Sequence, residues 1–226
     1  MCANCYVRWL CLPGGLATAD VERLASLVRR YGPLKRGETL HQAGTPSSSL
    51  YAVQSGALKT LRVAADGREQ ITGFHLAGDL IGLDAIDNPV RPSFAIALEN
   101  TWTCEIPHGA LETLSKEVPQ LQRALMRLVS RELVAAQTSL MTMGTPNAEQ
   151  RVLAVLIDIC TRLHARFGSS GAFRLPITRT DIANYVGLTS ETVSRVFVRL
   201  QDRGIIAASG RTVQILDPTL AQGHCR

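Results

Sequence analysis

The feature that most constrains the fold of this sequence is a continuous helical segment from Pro119 to about Met143. The segment has no internal proline or glycine, Pro119 suits the first turn of a helix, and Gly144 and Pro146 end it. Two apolar rows run along it at alternating spacings of three and four residues. One row is Leu121, Leu125, Leu128, Glu132 and Ala135, and the other is Met126, Val129, Leu133, Ala136, Leu140 and Met143. A helix that packs on a single core needs one apolar stripe, so the second stripe indicates a second partner.

We call the second row, from Met126 to Met143, the seam. Its heptad-like spacing suits the same helix from another copy of the chain. The alternative is a fully buried central helix, which is disfavoured because one face stays polar. That face carries Arg123, Arg127, Arg131 and Gln137. The segment is therefore predicted to be a dimerisation helix that joins an N-terminal domain to a C-terminal domain.

The length and the charge of the chain indicate what lies on either side of this helix. With 226 residues the chain can build two modest domains with separate cores. From residue 146 onward ten arginines stand against six acidic residues, so most of the net charge of +5 lies where a polyanion would bind. The sequence shows no secretory signal, and no apolar run approaches the ~20 residues that span a membrane. We expect a soluble, cytoplasmic protein with no membrane partner.

Residues 1–14, which we call the strap, hold three of the six cysteines. Cys2, Cys5 and Cys11 follow the spacing C-x2-C-x5-C in a stretch with no helical or strand pattern. Thiols on a short loop can converge on one inorganic centre, and thiolate-rich sites select zinc or iron–sulfur clusters. Three incidental cysteines in a flexible tail are a poorer explanation because cysteine is rare. Arg8 could offset the negative charge of such a centre, or it could simply help to dock the loop.

The first domain begins with a predicted amphipathic helix from Thr18 to Arg30, capped by Thr18 or Asp20. Short β-rich runs separated by turn glycines then follow, as in a small all-β roll or barrel. The runs are Leu50–Val53, Ala57–Val63, Gln70–Leu76, Phe94–Leu98 and Trp102–Ile106. A hairpin is predicted at 65–68, where Asp66 precedes Gly67.

Cys104 lies on the last of these strands. A single strand cysteine is usually a small buried core residue. The strap, however, lacks a fourth ligand for a tetrahedral site, and the first domain has no other cysteine beyond the strap. We favour Cys104 as the fourth ligand and expect Cys160 and Cys225 to lie outside the centre.

The second domain opens with a predicted helix over 147–167, capped by Asn147, with Cys160 on its apolar side. A helix, a glycine turn at Gly187 and a second helix follow, which is the helix-turn-helix pattern. Thr178 and Asp181 resemble a capping box for the first of these helices.

The second helix is predicted to begin after Thr189 or Ser190 and to bury four apolar side chains: Val193, Val196, Phe197 and Leu200. Its exposed face starts with Ser190, Glu191, Ser194 and Arg195, whose chemistry matches the edges of DNA bases. The runs 205–207 and 213–216 predict a β-hairpin wing, from which Arg211 could contact a phosphate. The alternative, a solvated helix face, is disfavoured by the glycine turn and the basic charge.

Four segments carry a family resemblance: Gly73–Leu80, Pro92–Ala95, Cys104–Pro107 and Glu191–Arg195. With these segments, and with strap, roll, long helix and winged helix-turn-helix in that order, the sequence resembles the CRP/FNR superfamily of bacterial transcription regulators. Within it the match is to the FNR (fumarate and nitrate reductase regulator) branch. The resemblance implies an α+β protein with a strap at 1–15, a cyclic-nucleotide-binding-like β-roll at 16–117, a dimerisation helix at 118–145 and a winged helix-turn-helix DNA-binding domain at 146–226.

The resemblance also implies a function. The family's oxygen sensor holds a [4Fe–4S] cluster on four cysteines, which fall here on Cys2, Cys5, Cys11 and Cys104. Its DNA-reading residues fall on Glu191, Ser194 and Arg195, and its target is an inverted repeat of TTGAT-like half-sites bound by a homodimer. RNA polymerase is a further implied partner, and anaerobic gene expression is the implied output. One departure is that the seam carries no ionisable side chain, although some relatives place an acidic residue there.

Three other functions remain as alternatives. A cyclic-nucleotide-responsive regulator needs a Glu for the ribose and an Arg-Ser pair for the phosphate, but these places hold Leu83 and Phe94-Ala95, with Arg91 displaced. An enzyme is disfavoured because the sequence shows no phosphate loop and no carboxylate pair at a meaningful spacing. A zinc-containing regulator stays open, since zinc and clusters both accept four thiolates.

Overall fold

The computed structural model describes residues 2–12, 14–168 and 171–216. Cys225, expected to lie outside the metal centre, falls beyond these residues. The chain divides into two compact units, Met1–Val134 and Ala135–Arg226. Within the described part of the chain, no helix combines the length and the hydropathy needed to cross a membrane.

The first unit is a β-roll flanked by helices. After a short 3-10 helix at Cys2–Asn4, its elements are α1 (Thr18–Leu27), β1 (Arg29–Leu34), β2 (Thr39–His41), β3 (Ser49–Ser55), β4 (Ala57–Val63), β5 (Glu69–Leu76), β6 (Leu80–Ile81), β7 (Phe94–Ala97), β8 (Thr101–Pro107) and α2 (His108–Glu117). The long helix α3 (Pro119–Gly144) begins in this unit and continues beyond Val134 into the second. A second 3-10 turn lies at Leu83–Ala85. The strands form two four-stranded sheets, in the orders β1-β8-β3-β6 and β2-β7-β4-β5. All pairs are antiparallel, and the predicted hairpin is confirmed at the turn between β4 and β5.

One core joins the strap and the helices to the first sheet. Its buried members include Leu12 of the strap, Leu24 of α1, Leu50, Ile106, Leu111 of α2 and Leu121 of α3. Leu125 and Leu128 pack against the same core. The first apolar row of the long helix therefore packs on its own domain only from Leu121 to Leu128, since Glu132 and Ala135 are exposed.

Three local predictions for this unit are wrong. The first helix ends at Leu27 rather than Arg30, because Arg29–Leu34 pairs as an edge strand with β8. Neither Thr18 nor Asp20 caps it, since the N-cap is Ala17, which makes no side-chain bond. The strap is not wholly irregular, because Cys2–Asn4 forms a 3-10 turn.

The second unit holds the helix-turn-helix and its wing. Its elements are α4 (Ala148–Phe167), β9 (Phe173–Arg174), α5 (Arg179–Val186), α6 (Ser190–Asp202), β10 (Ile206–Ser209) and β11 (Thr212–Ile215), and the strands form a sheet in the order β10-β11-β9. Asn147 caps α4 as predicted, accepting a hydrogen bond from the Glu149 backbone N–H at 2.9 Å. Cys160 is buried on α4, which confirms it as a core thiol.

Candidate metal centre and nucleic-acid interface

The strap is held in place by its own backbone and by two buried anchors. The Cys5 N–H donates to the Cys2 carbonyl at 3.2 Å, and the Cys11 N–H donates to the Val7 carbonyl at 3.2 Å, so the segment coils through successive turns. Val7 is 2 % exposed and Leu12 is fully buried. The strap therefore packs against the roll.

Four cysteines border one partly open cavity between strap and sheet. Cys2, Cys5 and Cys11 enter from the strap, and Cys104 enters from β8. The apolar walls include Leu12, Leu24, Ala52 and Ile106. The structure thus brings together the four cysteines that the sequence singled out, and all four are free thiols.

Burial raises the pKa of Cys2, Cys11 and Cys104, so these three thiols keep their protons in the absence of a cation. The pKa of Cys11 is raised to about 12, chiefly by burial; a backbone hydrogen bond from Leu12 opposes the rise, and the neighbouring thiols Cys104, Cys2 and Cys5 add to it. Burial likewise raises the pKa of Cys104 to about 11, with Cys2 and Cys5 adding to the effect and Arg30 partly opposing it. Because a metal binds the thiolate, loading the site must displace these protons.

The donor set fits a thiolate-bound inorganic centre. By residue type alone, four cysteine thiolates are the donor set of either a zinc site or an iron–sulfur cluster. Among residues 2–12, 14–168 and 171–216, no three Cys, His, Asp or Glu side chains form a group that could hold a single metal ion. The thiols instead line a shared, partly open cavity whose walls are mostly apolar.

Sequence reasoning missed one residue beside this site. Arg30 is the antiparallel partner of Cys104 in the β1–β8 pairing, and its guanidinium carbon lies 3.8 Å from the centre of the Trp102 ring. No local signal could have shown this, because Arg30 appeared to end a helix and lies 74 residues from Cys104 in sequence.

The seam is exposed in the single chain. Met126, Leu133 and Leu140 are 61 %, 59 % and 69 % exposed, and Val129 and Ala136 are also exposed. Met143 is partly buried. A row of large apolar side chains in water is unfavourable and marks a surface for association.

Arg91, the arginine near the expected phosphate position in the cyclic-nucleotide alternative, is buried in the roll. Arg91 is 3 % exposed, and its Nη2 donates to the Ser49 carbonyl at 2.7 Å. Its guanidinium carbon lies 5.1 Å from the centre of the Tyr51 ring. Its Nη1 finds no hydrogen-bond partner among the described residues.

The helix-turn-helix follows the predicted local chemistry. The Thr178 hydroxyl accepts from the Asp181 N–H at 3.1 Å and the Asp181 carboxylate accepts from the Thr178 N–H at 2.9 Å, which confirms the capping box. Gly187 ends α5 with a φ of +66°, a left-handed conformation that favours glycine. The Thr189 hydroxyl caps α6 by accepting from the Thr192 N–H at 3.1 Å.

The second of these helices, α6, buries one face and exposes another. Val193, Val196, Phe197 and Leu200 are all buried, as predicted. On the opposite face Arg195 donates to Glu191 at 2.5 Å, and both side chains are largely exposed. The Ser194 hydroxyl donates to the Ser190 carbonyl at 2.9 Å. Because an exposed ion pair contributes at most about 1 kcal/mol, breaking the contact between Arg195 and Glu191 costs little.

Two further ionic contacts within this unit tie α6 to α4. Glu149, which is mostly buried, accepts from Arg203 at 2.5 Å and lies 3.6 Å from Arg199. The arrangement fixes where α6 presents its exposed face.

Arg211 has a more structural setting than the sequence indicated. Its Nε donates to the Leu175 carbonyl at 3.0 Å, and its Nη2 donates to the Pro176 carbonyl. These bonds hold the wing to the segment before α5. The expected phosphate contact of Arg211 stays a prediction.

Comparison with known proteins places this architecture in a family. Residues 150–220 match the Crp-like helix-turn-helix domain, and residues 32–117 match the cyclic nucleotide-binding domain. The chain is 46 % identical over 216 residues to the transcriptional activator protein Anr of Pseudomonas aeruginosa, covering 96 % of this chain and 88 % of the relative. The chain belongs to the FNR branch of the CRP/FNR family of transcription regulators.

Other members of the family support the same placement. The fumarate and nitrate reduction regulatory protein of Escherichia coli strain K12 is 42 % identical, covering all of this chain and 91 % of its own. The solved structure of FixK2 from Bradyrhizobium japonicum superposes with a TM-score of 0.77 at 29 % identity, covering 88 % of this chain and 96 % of that one. This CRP/FNR member is thus a DNA-binding transcription regulator and not an enzyme, and its predicted fold of roll, long helix and winged helix-turn-helix is confirmed.

Proposed function

We propose that the protein is an oxygen-responsive transcription activator that binds DNA as a homodimer while Cys2, Cys5, Cys11 and Cys104 hold a [4Fe–4S] cluster. In this proposal it acts in the cytoplasm on an inverted repeat of TTGAT-like half-sites. It contacts RNA polymerase there and controls anaerobic gene expression. The arrangement of four free thiols around one cavity carries the proposal, and relatives named as activators support its output.

The cluster would supply a centre that is stable without oxygen and is lost on exposure to it. The four cysteines would hold it as thiolates, and Val7 and Leu12 would keep the strap seated on the roll. Joining Cys11 to Cys104 ties the strap to β8 across 93 residues of chain. Without that tie, only noncovalent contacts would hold the strap, so the position of the strap becomes the element that reports on oxygen.

The DNA-reading residues would act in pairs. Two chains joined along the seam would set their α6 helices about one DNA turn, ~34 Å, apart. Arg195 and Glu191 would then read base edges in each half-site, with Ser190 and Ser194 as adaptable contacts. Phosphate contacts from the arginine-rich second unit would add affinity that depends on salt.

Colour provides the direct test. Protein purified without oxygen is expected to be brown and to lose its visible absorbance in air, with iron and sulfide in equal amounts. Serine at any one of Cys2, Cys5, Cys11 or Cys104 is expected to abolish the colour and anaerobic DNA binding.

The matched control is Cys160, a buried thiol outside the cavity. Serine or alanine there is expected to keep both the colour and DNA binding, and we expect the same at Cys225. A colourless protein that contains zinc would instead make this a zinc-dependent regulator. Equal loss in the control variants would remove the ligand assignment.

One observation favours a second candidate, regulation by a cyclic nucleotide in the roll. The unpartnered Nη1 of buried Arg91 is a cation that an anion could satisfy. Against it, Leu83 stands where the ribose would need a carboxylate. Calorimetric titration of cyclic AMP and cyclic GMP decides between the two, and we expect no heat of binding from either.

A further inference from the structure

Arg30 lies directly across the strand pair from Cys104. The two residues are partners in the antiparallel register of β1 and β8, flanked by Arg29 opposite Glu105 and Tyr31 opposite Thr103. Directly opposed residues in such a pair have Cβ atoms about 5 Å apart. The cationic side chain of Arg30 can therefore reach the surroundings of the Cys104 sulfur.

The guanidinium group of Arg30 is held in place by an aromatic ring. Its carbon lies 3.8 Å from the centre of the Trp102 ring, a cation–π contact. Trp102 and Cys104 are two residues apart on β8 and so share one face of the strand. Stacking on Trp102 consequently holds a positive charge on the face of β8 that carries Cys104.

Arg30 differs from the other arginine near the cavity. Arg8 also borders the cavity, but its Nη1 donates to the Ala3 carbonyl at 2.8 Å and so supports the fold of the strap. Arg30 lies on β1 and stacks on the Trp102 ring of β8. Its removal takes away a charge without removing a bond that shapes the strap.

We infer that Arg30 offsets the negative charge of a cluster bound through Cys104 and so raises its reduction potential and its stability. This inference rests on the proposed function. A cluster core on four thiolates is a net anion, and net charge and surroundings set the potential of such centres. Reduction adds one electron, so a nearby cation stabilises the reduced form more than the oxidised form.

The experiment compares four full-length proteins loaded with cluster under anaerobic conditions. They are wild type, Arg30→Ala, Arg30→Lys and Arg29→Ala. The last variant removes an equal charge one residue away, from a side chain on the other face of β1. Visible absorbance is followed during potentiometric titration. Mediator dyes deliver one electron to the cluster, and no bond of the protein is made or broken.

The expected result is a lower potential and a several-fold faster bleaching in air for Arg30→Ala alone. Arg30→Lys and Arg29→Ala are expected to match wild type. Arg30→Lys keeps a positive charge at position 30, and Arg29→Ala leaves Arg30 itself unchanged. Equal potentials in Arg30→Ala and Arg29→Ala would overturn the inference. A shift shared by Arg30→Ala and Arg30→Lys would also overturn it, since the effect would then come from shape rather than charge.

Whether each variant retains a cluster distinguishes the remaining outcomes. If Arg30→Ala retains no iron after anaerobic gel filtration while Arg30→Lys and Arg29→Ala do, the charge is needed to hold the cluster and the inference stands. If Arg30→Ala and Arg30→Lys both fail to load, it is overturned. A wild type that binds no cluster refutes the proposed function, and the role of Arg30 falls with it.

Discussion

Arg127 on α3 donates a hydrogen bond to the carbonyl oxygen of Gly14, where the strap ends, with Nη2 and oxygen 3.2 Å apart. Arg127 directly follows Met126, the first residue of the seam. The hydrogen bond therefore joins the cysteine-bearing segment to the helix proposed to pair two chains. It gives a physical route by which the position of the strap can bias α3.

Arg127→Ala is expected to uncouple these two segments. The brown colour should remain, because no cysteine is touched, while the dimer fraction and DNA affinity of the anaerobic protein should fall. An exposed hydrogen bond contributes about 1 kcal/mol, or roughly fivefold in an equilibrium constant. Analytical ultracentrifugation measures the effect, with Arg123→Ala on the same polar face as the control. Equal dimerisation in the two variants would show that the bond transmits nothing.

Arg195→Ala is expected to cost about 1–3 kcal/mol against the specific site and to relax the preference at one base pair. Its present partner Glu191 is exposed, so little folding stability should be lost with it. Binding to a set of single-base variants of the half-site measures the change. Undiminished selectivity would mean that α6 does not enter the groove with this face.

Arg211→Ala is expected to weaken specific and random DNA alike and to flatten the salt dependence. Because Arg211 also bonds the carbonyls of Leu175 and Pro176, the wing should loosen as well. Thermal unfolding of the variant separates the two effects. A lower melting temperature with an unchanged salt slope would leave Arg211 with a structural role only.

Dimer is expected to persist in part after exposure to air, with DNA affinity falling more than dimerisation does. The reason is that the seam carries no charge that would push two chains apart once the strap is released. Sedimentation of brown and air-bleached protein, beside DNA binding at one salt concentration, tests this. Leu133→Glu places a charge in the seam and should give monomer in both forms, whereas Val134→Glu, next to the seam, should not. DNA affinity that is equal in brown and bleached protein would argue against oxygen control.

His41 is expected to make the roll sensitive to acid. Burial and the nearby charge of Arg91 lower its pKa to about 4 from an ordinary 6.5. The unfolded chain therefore binds the proton first, and stability present above pH 6.5 is lost as the pH falls towards 4, by up to about 3 kcal/mol. His41→Phe keeps a ring beside Tyr51 and removes the titration. Denaturant unfolding of the metal-free proteins at pH 7 and pH 4.5 should show the smaller loss for His41→Phe.

Sequence reasoning found the parts of the fold whose signals are local. Thr178, Asp181 and Gly187 define the ends of α5 through bonds within a few residues, so their prediction is confirmed. Edge strand β1 was missed because its Arg-Arg-Tyr-Gly-Pro-Leu sequence lacks alternation and contains a proline, which only an edge strand tolerates. Helix α2 was left without an assignment, and the two-residue strands β6 and β9 are too short to leave a pattern.

The candidate site shows the same division. Rarity and spacing were enough to single out the cysteines, and the structure brings the four to one cavity. The contacts of Arg30 and Arg127 beside the site were not predicted, because they depend on strand register and on a hydrogen bond across 113 residues. Long-range placement of this kind follows from the assembled fold and not from any short window of sequence.

Because the seam is exposed and uncharged, the fraction of chains that pair depends on how much of the protein the cell contains. Pairing of two chains is a mass-action equilibrium, so the paired fraction rises with total concentration. Nothing electrostatic in the seam opposes pairing when the chain is abundant. If the proposed oxygen control holds, a cell that makes more of this regulator would keep more of it paired in air, and expression level would shift the oxygen tension at which its genes respond.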